Sequence, residues 1–127
     1  MVSEQRPQGS DLIQKAVFLA REGQLEQAEQ AFIQVRDADP NNPDSYTNLG
    51  VVLRQQGKID AALASYQYAL SIDPKHSGAL YNCANILRDA KRFQEAYDLY
   101  SRALTLNPDQ VMILNNLGLT LQALERQ

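Results

Sequence analysis

The chain has 127 residues, of which 44% are hydrophobic, and a formal net charge of −3. This composition is typical of a folded domain and excludes a disordered chain. Because the basic footprint of a general nucleic-acid-binding protein is missing, we expect no nucleic-acid partner. Cys83 is the single cysteine. Because there is no second cysteine, an intramolecular disulfide is excluded, and one thiol alone makes no structural zinc site.

The N-terminal segment, residues 1–9, is polar and has no apolar stretch of the length found in a signal peptide. The longest apolar run, residues 16–20, is far too short to cross a membrane. We therefore expect a disordered tail over residues 1–9. A folded domain without membrane insertion follows over residues 10–127, and we expect it to be cytoplasmic.

A period of 34 residues runs through this domain. Pro40, Pro74 and Pro108 are separated by this step. Further columns of alanine, aromatic residues and leucine keep the same step: Ala28, Ala62 and Ala96; Phe32, Tyr66 and Tyr100; Leu19, Leu53, Leu87 and Leu121. Agreement among independent columns predicts repeats at about 9–42, 43–76 and 77–110, followed by a partial repeat at 111–127.

Each repeat is predicted to form two helices. In the second repeat, residues 44–56 and 60–72 both carry apolar or small residues at helical spacing. Gly57 ends the first helix because glycine enters the left-handed conformation without a steric penalty. Pro74 prevents continuation of the second helix. In the third repeat Lys91 stands where glycine is expected, which leaves that turn less well defined.

Small residues recur where the helices are expected to cross. Ala16, Gly50, Ala84 and Gly118 share one column of the first helices. A small side chain at a crossing lets two backbones approach closely, so that the ridges of one helix fit into the grooves of the other. The columns therefore predict that each repeat folds as an antiparallel helix hairpin.

This pattern resembles the tetratricopeptide repeat, whose consensus is Trp-x2-Leu-Gly-x2-Tyr, then Ala-x3-Phe, then Pro, over 34 residues. At the seven consensus positions the second repeat supplies Tyr46, Leu49, Gly50, Leu53, Ala62, Tyr66 and Pro74, of which four are identical to the consensus. No repeat has the tryptophan. The resemblance implies an all-α, right-handed α-solenoid of antiparallel helix hairpins, with three units and a C-terminal half unit. It also implies a non-catalytic scaffold that binds a protein or peptide and needs no cofactor or metal.

In this family the first helices line a concave surface, and solenoids use such surfaces for binding. Candidate peptide-binding residues are therefore first-helix positions outside the apolar columns: Asn48, Asn82, Asn116, Asn85, Arg54, Arg88, Tyr81 and Val51.

Asparagine is a mediocre helix former, so the column Asn48, Asn82 and Asn116 requires an explanation. An amide offers a donor and an acceptor, which match the N–H and C=O of an extended peptide. The column resembles the asparagine row of O-linked N-acetylglucosaminyltransferases and kinesin light chains, which implies contact with a peptide backbone. The alternative is that these amides bond across neighbouring repeats and hold the stack together.

Arg54 and Arg88 form a second column on the same surface. Their guanidinium groups would suit an acidic ligand or a C-terminal carboxylate, or they are ordinary exposed arginines. The two-carboxylate clamp of heat-shock-chaperone adaptors is not expected. It requires lysine and asparagine in one first helix and lysine and arginine two repeats later. Here those positions hold Ile13, Val17, Gly78 and Asn82, and starting one repeat later gives Thr47, Val51, Met112 and Asn116.

The fourth unit restarts the first-helix pattern and reaches Gln127 without a second helix. A capping helix normally has a polar outer face, but this one keeps Leu117, Leu121 and Leu124. Two explanations stay open: a longer array that has been truncated, or an end surface that pairs with another molecule. The alternatives to a peptide-binding module are thus a homo-oligomer assembled through the C-terminal helix, or the N-terminal interaction segment of a larger enzyme such as a glycosyltransferase.

Overall fold

The computed structural model describes residues 9–127, and this part of the chain forms seven α-helices and no strand. The predicted all-α fold is therefore confirmed. In chain order the helices are α1 (Gly9–Arg21), α2 (Leu25–Ala38), α3 (Pro43–Gln55), α4 (Ile59–Ile72), α5 (Ser77–Asp89), α6 (Phe93–Leu106) and α7 (Val111–Glu125). Helix α1 begins at Gly9, and the rest of the predicted N-terminal tail lies outside the described residues.

The repeated prolines separate the repeats. Helices α2, α4 and α6 end at Ala38, Ile72 and Leu106, in each case two residues before the proline. The residue before a proline is pushed out of the helical region, because the proline ring collides with its backbone. Asp39 and Asp73 accordingly have φ values of −143° and −136°.

The turn inside each hairpin uses a left-handed residue. Gly23 and Gly57 have φ values of 78° and 81°, and Lys91, at the same position of the third hairpin, has φ 63°. The amide of the next residue in each case bonds to a carbonyl five residues back, as between Arg92 N and Leu87 O at 2.8 Å. The geometry of the turn therefore persists although Lys91 replaces glycine, and Lys91 bears the steric cost of its Cβ.

Replacing Lys91 by glycine should therefore stabilise the protein. We expect Lys91→Gly to raise the free energy of unfolding by about 1 kcal/mol, because the left-handed conformation strains a residue with a Cβ. Urea midpoints measure the change, and Gly57→Lys is the reciprocal control, expected to lower stability. An unchanged or lower midpoint for Lys91→Gly would contradict the assignment of strain to this turn.

The hairpins stack through both of their helices. Helices α1 and α2, α3 and α4, and α5 and α6 pair within repeats, while α2 contacts α3, α4 contacts α5 and α6 contacts α7. The first helices also touch directly, α3 with α5 and α5 with α7. No helix of residues 9–127 is both long and apolar enough to span a bilayer.

The predicted alanine and aromatic columns of the second helices form part of the core of this stack. Ala28, Ala62 and Ala96 are completely buried, and the aromatic column beside them is buried as well. At Gly50 a Cβ atom would lie 2.5–2.9 Å from carbons of the Tyr66 ring. The glycine therefore allows the tyrosine to pack directly on the backbone of α3, and this contact fixes how closely α3 and α4 approach.

Candidate peptide-binding site

A shallow cleft of about 220 Å³ lies beside the first helices α1 and α3. Asn48 and Val51 both line it from α3, and Val51 is exposed. Val17 and Ala20 of α1 supply apolar surface opposite them. Two of the predicted site residues are thus brought together, as an amide next to an apolar depression that could accept a side chain.

A second cleft, of about 160 Å³, lies between α5 and α7. Tyr81 lines it together with Gly78 from α5, and the exposed Met112 lines it from α7. Asn82 follows Tyr81 and is half-buried, as Asn48 is. The first helices therefore carry apolar depressions at two separate repeat boundaries, with the asparagine column running between them.

The three asparagines of this column have different surroundings. Asn116 Nδ2 donates to Tyr81 Oη at 2.8 Å and to Asn85 Oδ1 at 3.2 Å. Both acceptors belong to the preceding repeat, so this amide links α7 to α5. Within residues 9–127, the side-chain amides of Asn48 and Asn82 take part in no such hydrogen bond.

The reason for this difference can be read from neighbouring repeats. Asn116 bonds to the residues 35 and 31 positions before it. The corresponding residues for Asn82 are Thr47 and Val51. Thr47 is buried, its hydroxyl donates to the Pro43 carbonyl at 3.0 Å, and its side chain is shorter than that of Tyr81; Val51 offers no polar atom. For Asn48 the corresponding residues are both apolar: Ile13 and Val17.

Asn85, which the sequence predicted to bind peptide, is buried. It is 7% exposed, and its Oδ1 accepts hydrogen bonds from Asn116 and from the hydroxyl of Tyr100. Tyr100 is fully buried, and burial raises its pKa to about 12, so the hydroxyl keeps its proton and remains a donor. Asn85 is thus a buried acceptor that joins α5, α6 and α7.

Exchanging Asn116 should therefore affect stability more than exchanging Asn82. We expect Asn116→Ala to cost about 1–3 kcal/mol, from the loss of two hydrogen bonds at about 0.5–1.5 kcal/mol each. Asn82→Ala removes no such bond and should stay within about 0.5 kcal/mol of wild type. Equal losses of stability in urea denaturation would show that Asn82 holds the stack together as Asn116 does.

The two predicted arginines converge on one carboxylate. Arg54 Nη2 lies 2.8 Å from Asp89 Oδ2, and Arg88 Nη2 lies 3.4 Å from Asp89 Oδ1. The first of these ion pairs crosses a repeat boundary. An acidic ligand would have to compete with Asp89 for both guanidinium groups. The repeat pattern did not indicate this partner, although Arg54 and Asp89 are separated by one repeat and one residue.

His76 also has a partner that the repeat pattern did not indicate. Its Nε2 lies 2.6 Å from Asp44 Oδ1, and its Nδ1 accepts from the Ala79 amide at 3.1 Å. His76 therefore caps α5 and at the same time ties it to the start of α3. Within residues 9–127 no group of three or more histidine, cysteine or acidic residues is arranged to hold a metal ion.

Comparison with known proteins identifies the family. Two sequence models, both described as tetratricopeptide repeat, match residues 15–77 and 53–113. Together they span all three hairpins, and the chain belongs to the tetratricopeptide repeat family. The predicted resemblance to the tetratricopeptide repeat is thereby confirmed. No curated protein gives a significant match.

Solved tetratricopeptide repeat (TPR) domains have the same fold. The first TPR domain of Spaghetti (RPAP3), solved with an HSP90 peptide, is 24% identical at a TM-score of 0.86 over 92% of this chain and 93% of that one. The first TPR domain of human RPAP3 gives the same identity and TM-score, covering 93% of both chains. The Sgt2 TPR domain from Aspergillus fumigatus is 18% identical at 0.86, over 94% of this chain and 81% of that one.

Proposed function

We propose that this chain is a non-catalytic protein-interaction module that binds an extended segment of a partner protein along its first helices. The observation that supports this most directly is the contrast within the asparagine column. The amide of Asn116 is engaged with Tyr81 and Asn85. Within residues 9–127, the side-chain amides of Asn48 and Asn82 make no equivalent hydrogen bonds.

A half-buried amide without a protein partner suits recognition of a peptide backbone. Asn48 and Asn82 each present a donor and an acceptor, and an extended peptide presents both groups in every residue. One repeat separates the two asparagines, so a peptide running along the first helices would meet them in succession. Their hydrogen bonds would favour no particular sequence.

Side-chain specificity would come from the flanking depressions. Val17 and Val51 supply apolar surface at one end, and Tyr81 and Met112 supply it at the other. An apolar or aromatic side chain of the ligand would bury surface at each depression, at about 25 cal/mol for each Å² removed from water. We therefore propose a ligand with two apolar anchors flanking a stretch recognised through its backbone.

The comparison structures support peptide binding in general rather than one particular ligand. One of them was solved with an HSP90 peptide. This chain has Ile13, Val17, Gly78 and Asn82 at positions where the two-carboxylate clamp requires lysine, asparagine, lysine and arginine. Its arginines Arg54 and Arg88 are paired with Asp89 instead. The proposed ligand is therefore not the carboxylate end of a heat-shock protein.

The single cysteine is consistent with this assignment. Cys83 is buried, and burial raises the pKa of its thiol to about 11. The thiol thus stays protonated near neutral pH, and a protonated thiol is a poor nucleophile. A structural role for Cys83 fits a scaffold that works in a reducing, cytoplasmic compartment.

Selection from a random peptide library displayed on phage tests the proposal. The wild-type chain should enrich extended peptides with two apolar anchors, and Asn48→Ala/Asn82→Ala should lose that enrichment. Gln34→Ala, an exposed amide on α2, is the matched control and should enrich the same peptides. Enrichment that survives the double asparagine substitution would place the binding surface elsewhere. Failure of the wild-type chain to enrich any peptide would refute the proposed recognition mode.

A further inference from the structure

Helix α7 carries an apolar face that is uncovered among the described residues. The end face of α7 consists of Val111, Leu114, Leu117, Gly118, Leu121 and Leu124. Val111, Leu114 and Leu121 are 65%, 46% and 42% exposed, and the other three residues are partly exposed. One repeat earlier, the residues that correspond to Leu114 and Leu121 are Leu80 and Leu87, which are buried against α6 and its neighbours.

No helix of the described chain packs against α7 at Gly118, although glycine at this position of the repeat lies at a helix crossing in α3. A Cβ atom added at Gly50 would meet the Tyr66 ring at 2.5 Å, whereas one added at Gly118 would meet nothing within 4 Å. The two glycines occupy the same position of the repeat. The end face of α7 therefore has the leucines and the small central residue of a helix-packing surface, with room for another helix.

The end face is complementary to itself in one antiparallel register. With Leu117 of one copy opposite Gly118 of a second copy, Leu114 falls opposite Leu121, and Val111 falls opposite Leu124. The same register brings Asp109 of each copy to Arg126 of the other. Both charged residues are exposed. A parallel, in-register pair would instead put Asp109 against Asp109 and Arg126 against Arg126, and like charges repel.

We propose that two copies of this chain pair through α7 in this antiparallel register, as a homodimer with two-fold symmetry. Each contact then occurs twice, because a two-fold interface uses the same patch on both subunits. The interface is one helix wide, so the dimer should be reversible and concentration-dependent. This inference does not depend on the proposed peptide-binding site. The end face includes none of the proposed peptide-binding residues, so pairing would leave a peptide site on each copy and give the dimer a gain in avidity.

Sedimentation across a concentration series tests the dimer. The mass should rise from that of one chain toward that of two and stop there. Leu121→Glu should raise the dissociation constant by about tenfold or more, because it places a charge against an apolar contact. Leu119→Glu is the matched control: this leucine is also on α7 and 55% exposed, but it lies outside the end face and should change nothing. Circular dichroism of both variants confirms that they remain folded.

Charge reversal and cross-linking test the register. Asp109→Arg and Arg126→Asp should each weaken the dimer, and the two changes in one chain should restore it. Mixing Leu114→Cys with Leu121→Cys chains should give disulfide-linked heterodimers, whereas either variant alone should form far fewer. A strict monomer at every concentration would overturn the proposal. A dimer indifferent to Leu121→Glu, or assemblies larger than two chains, would equally overturn it.

Discussion

Exchanging Asn48 and Asn82 together for alanine should lower the affinity for a library-selected peptide about five- to hundredfold. This range follows from two lost hydrogen bonds at about 0.5–1.5 kcal/mol each. Stability should change little, because neither amide bonds to a partner within residues 9–127. Titration calorimetry measures the affinity, and urea denaturation of the same preparations measures the stability.

Two single substitutions serve as controls for this result. Asn116→Ala removes the bonds to Tyr81 and Asn85, so it should reduce stability more than the double variant does. Gln34→Ala removes an exposed amide on α2 and should change neither property. If the double variant lost stability but kept its affinity, Asn48 and Asn82 would be structural residues, and the peptide site would have to lie on another surface.

The second large effect is on stability, and we expect it when each of two equivalent glycines is replaced by alanine. Gly50→Ala should destabilise the protein by about 1–3 kcal/mol, since its Cβ would lie 2.5 Å from a carbon of the Tyr66 ring and α3 and α4 would have to move apart. Gly118→Ala should instead stabilise it by about 0.5–1 kcal/mol, because alanine is the better helix former and nothing lies within 4 Å.

Urea midpoints of the two glycine variants should therefore move in opposite directions. The midpoints should be measured at a dilution at which the chain is monomeric, so that pairing through α7 does not contribute to the stability. Equal losses of stability at Gly50 and Gly118 would mean that the end face of α7 is covered in solution even in a single chain. That outcome would contradict the inference that no helix packs against Gly118 in a single chain.

Features that recur with the repeat were predictable because local chemistry determines them. Each repeated proline ends a helix two residues earlier, and the small-residue columns are buried at the expected crossings, except at Gly118. The position in the repeat determines the backbone even where the residue type departs from the column. Lys91 has the left-handed conformation that Gly23 and Gly57 have in the other turns.

Contacts between repeats were less predictable, because they depend on the distance and rotation between hairpins. The asparagines form one column in the sequence, but the polar partners of Asn116 are Tyr81 and Asn85, and the corresponding residues for Asn82 are Thr47 and Val51. Comparing residues 35 and 31 positions upstream would have revealed this difference. The convergence of Arg54 and Arg88 on Asp89 depends on side-chain conformations, which no repeat period determines.

Nuclear magnetic resonance mapping of a library-selected peptide on the isotope-labelled chain tests the central claim most directly. Binding along the first helices predicts that the backbone signals of Val51 and the side-chain amide signals of Asn48 and Asn82 shift on titration. Signals from the second helices, such as the side-chain amide signal of Gln34, should not shift. Shifts confined to the second helices α2, α4 and α6, with Asn48 and Asn82 unperturbed, would contradict the proposed peptide-binding site.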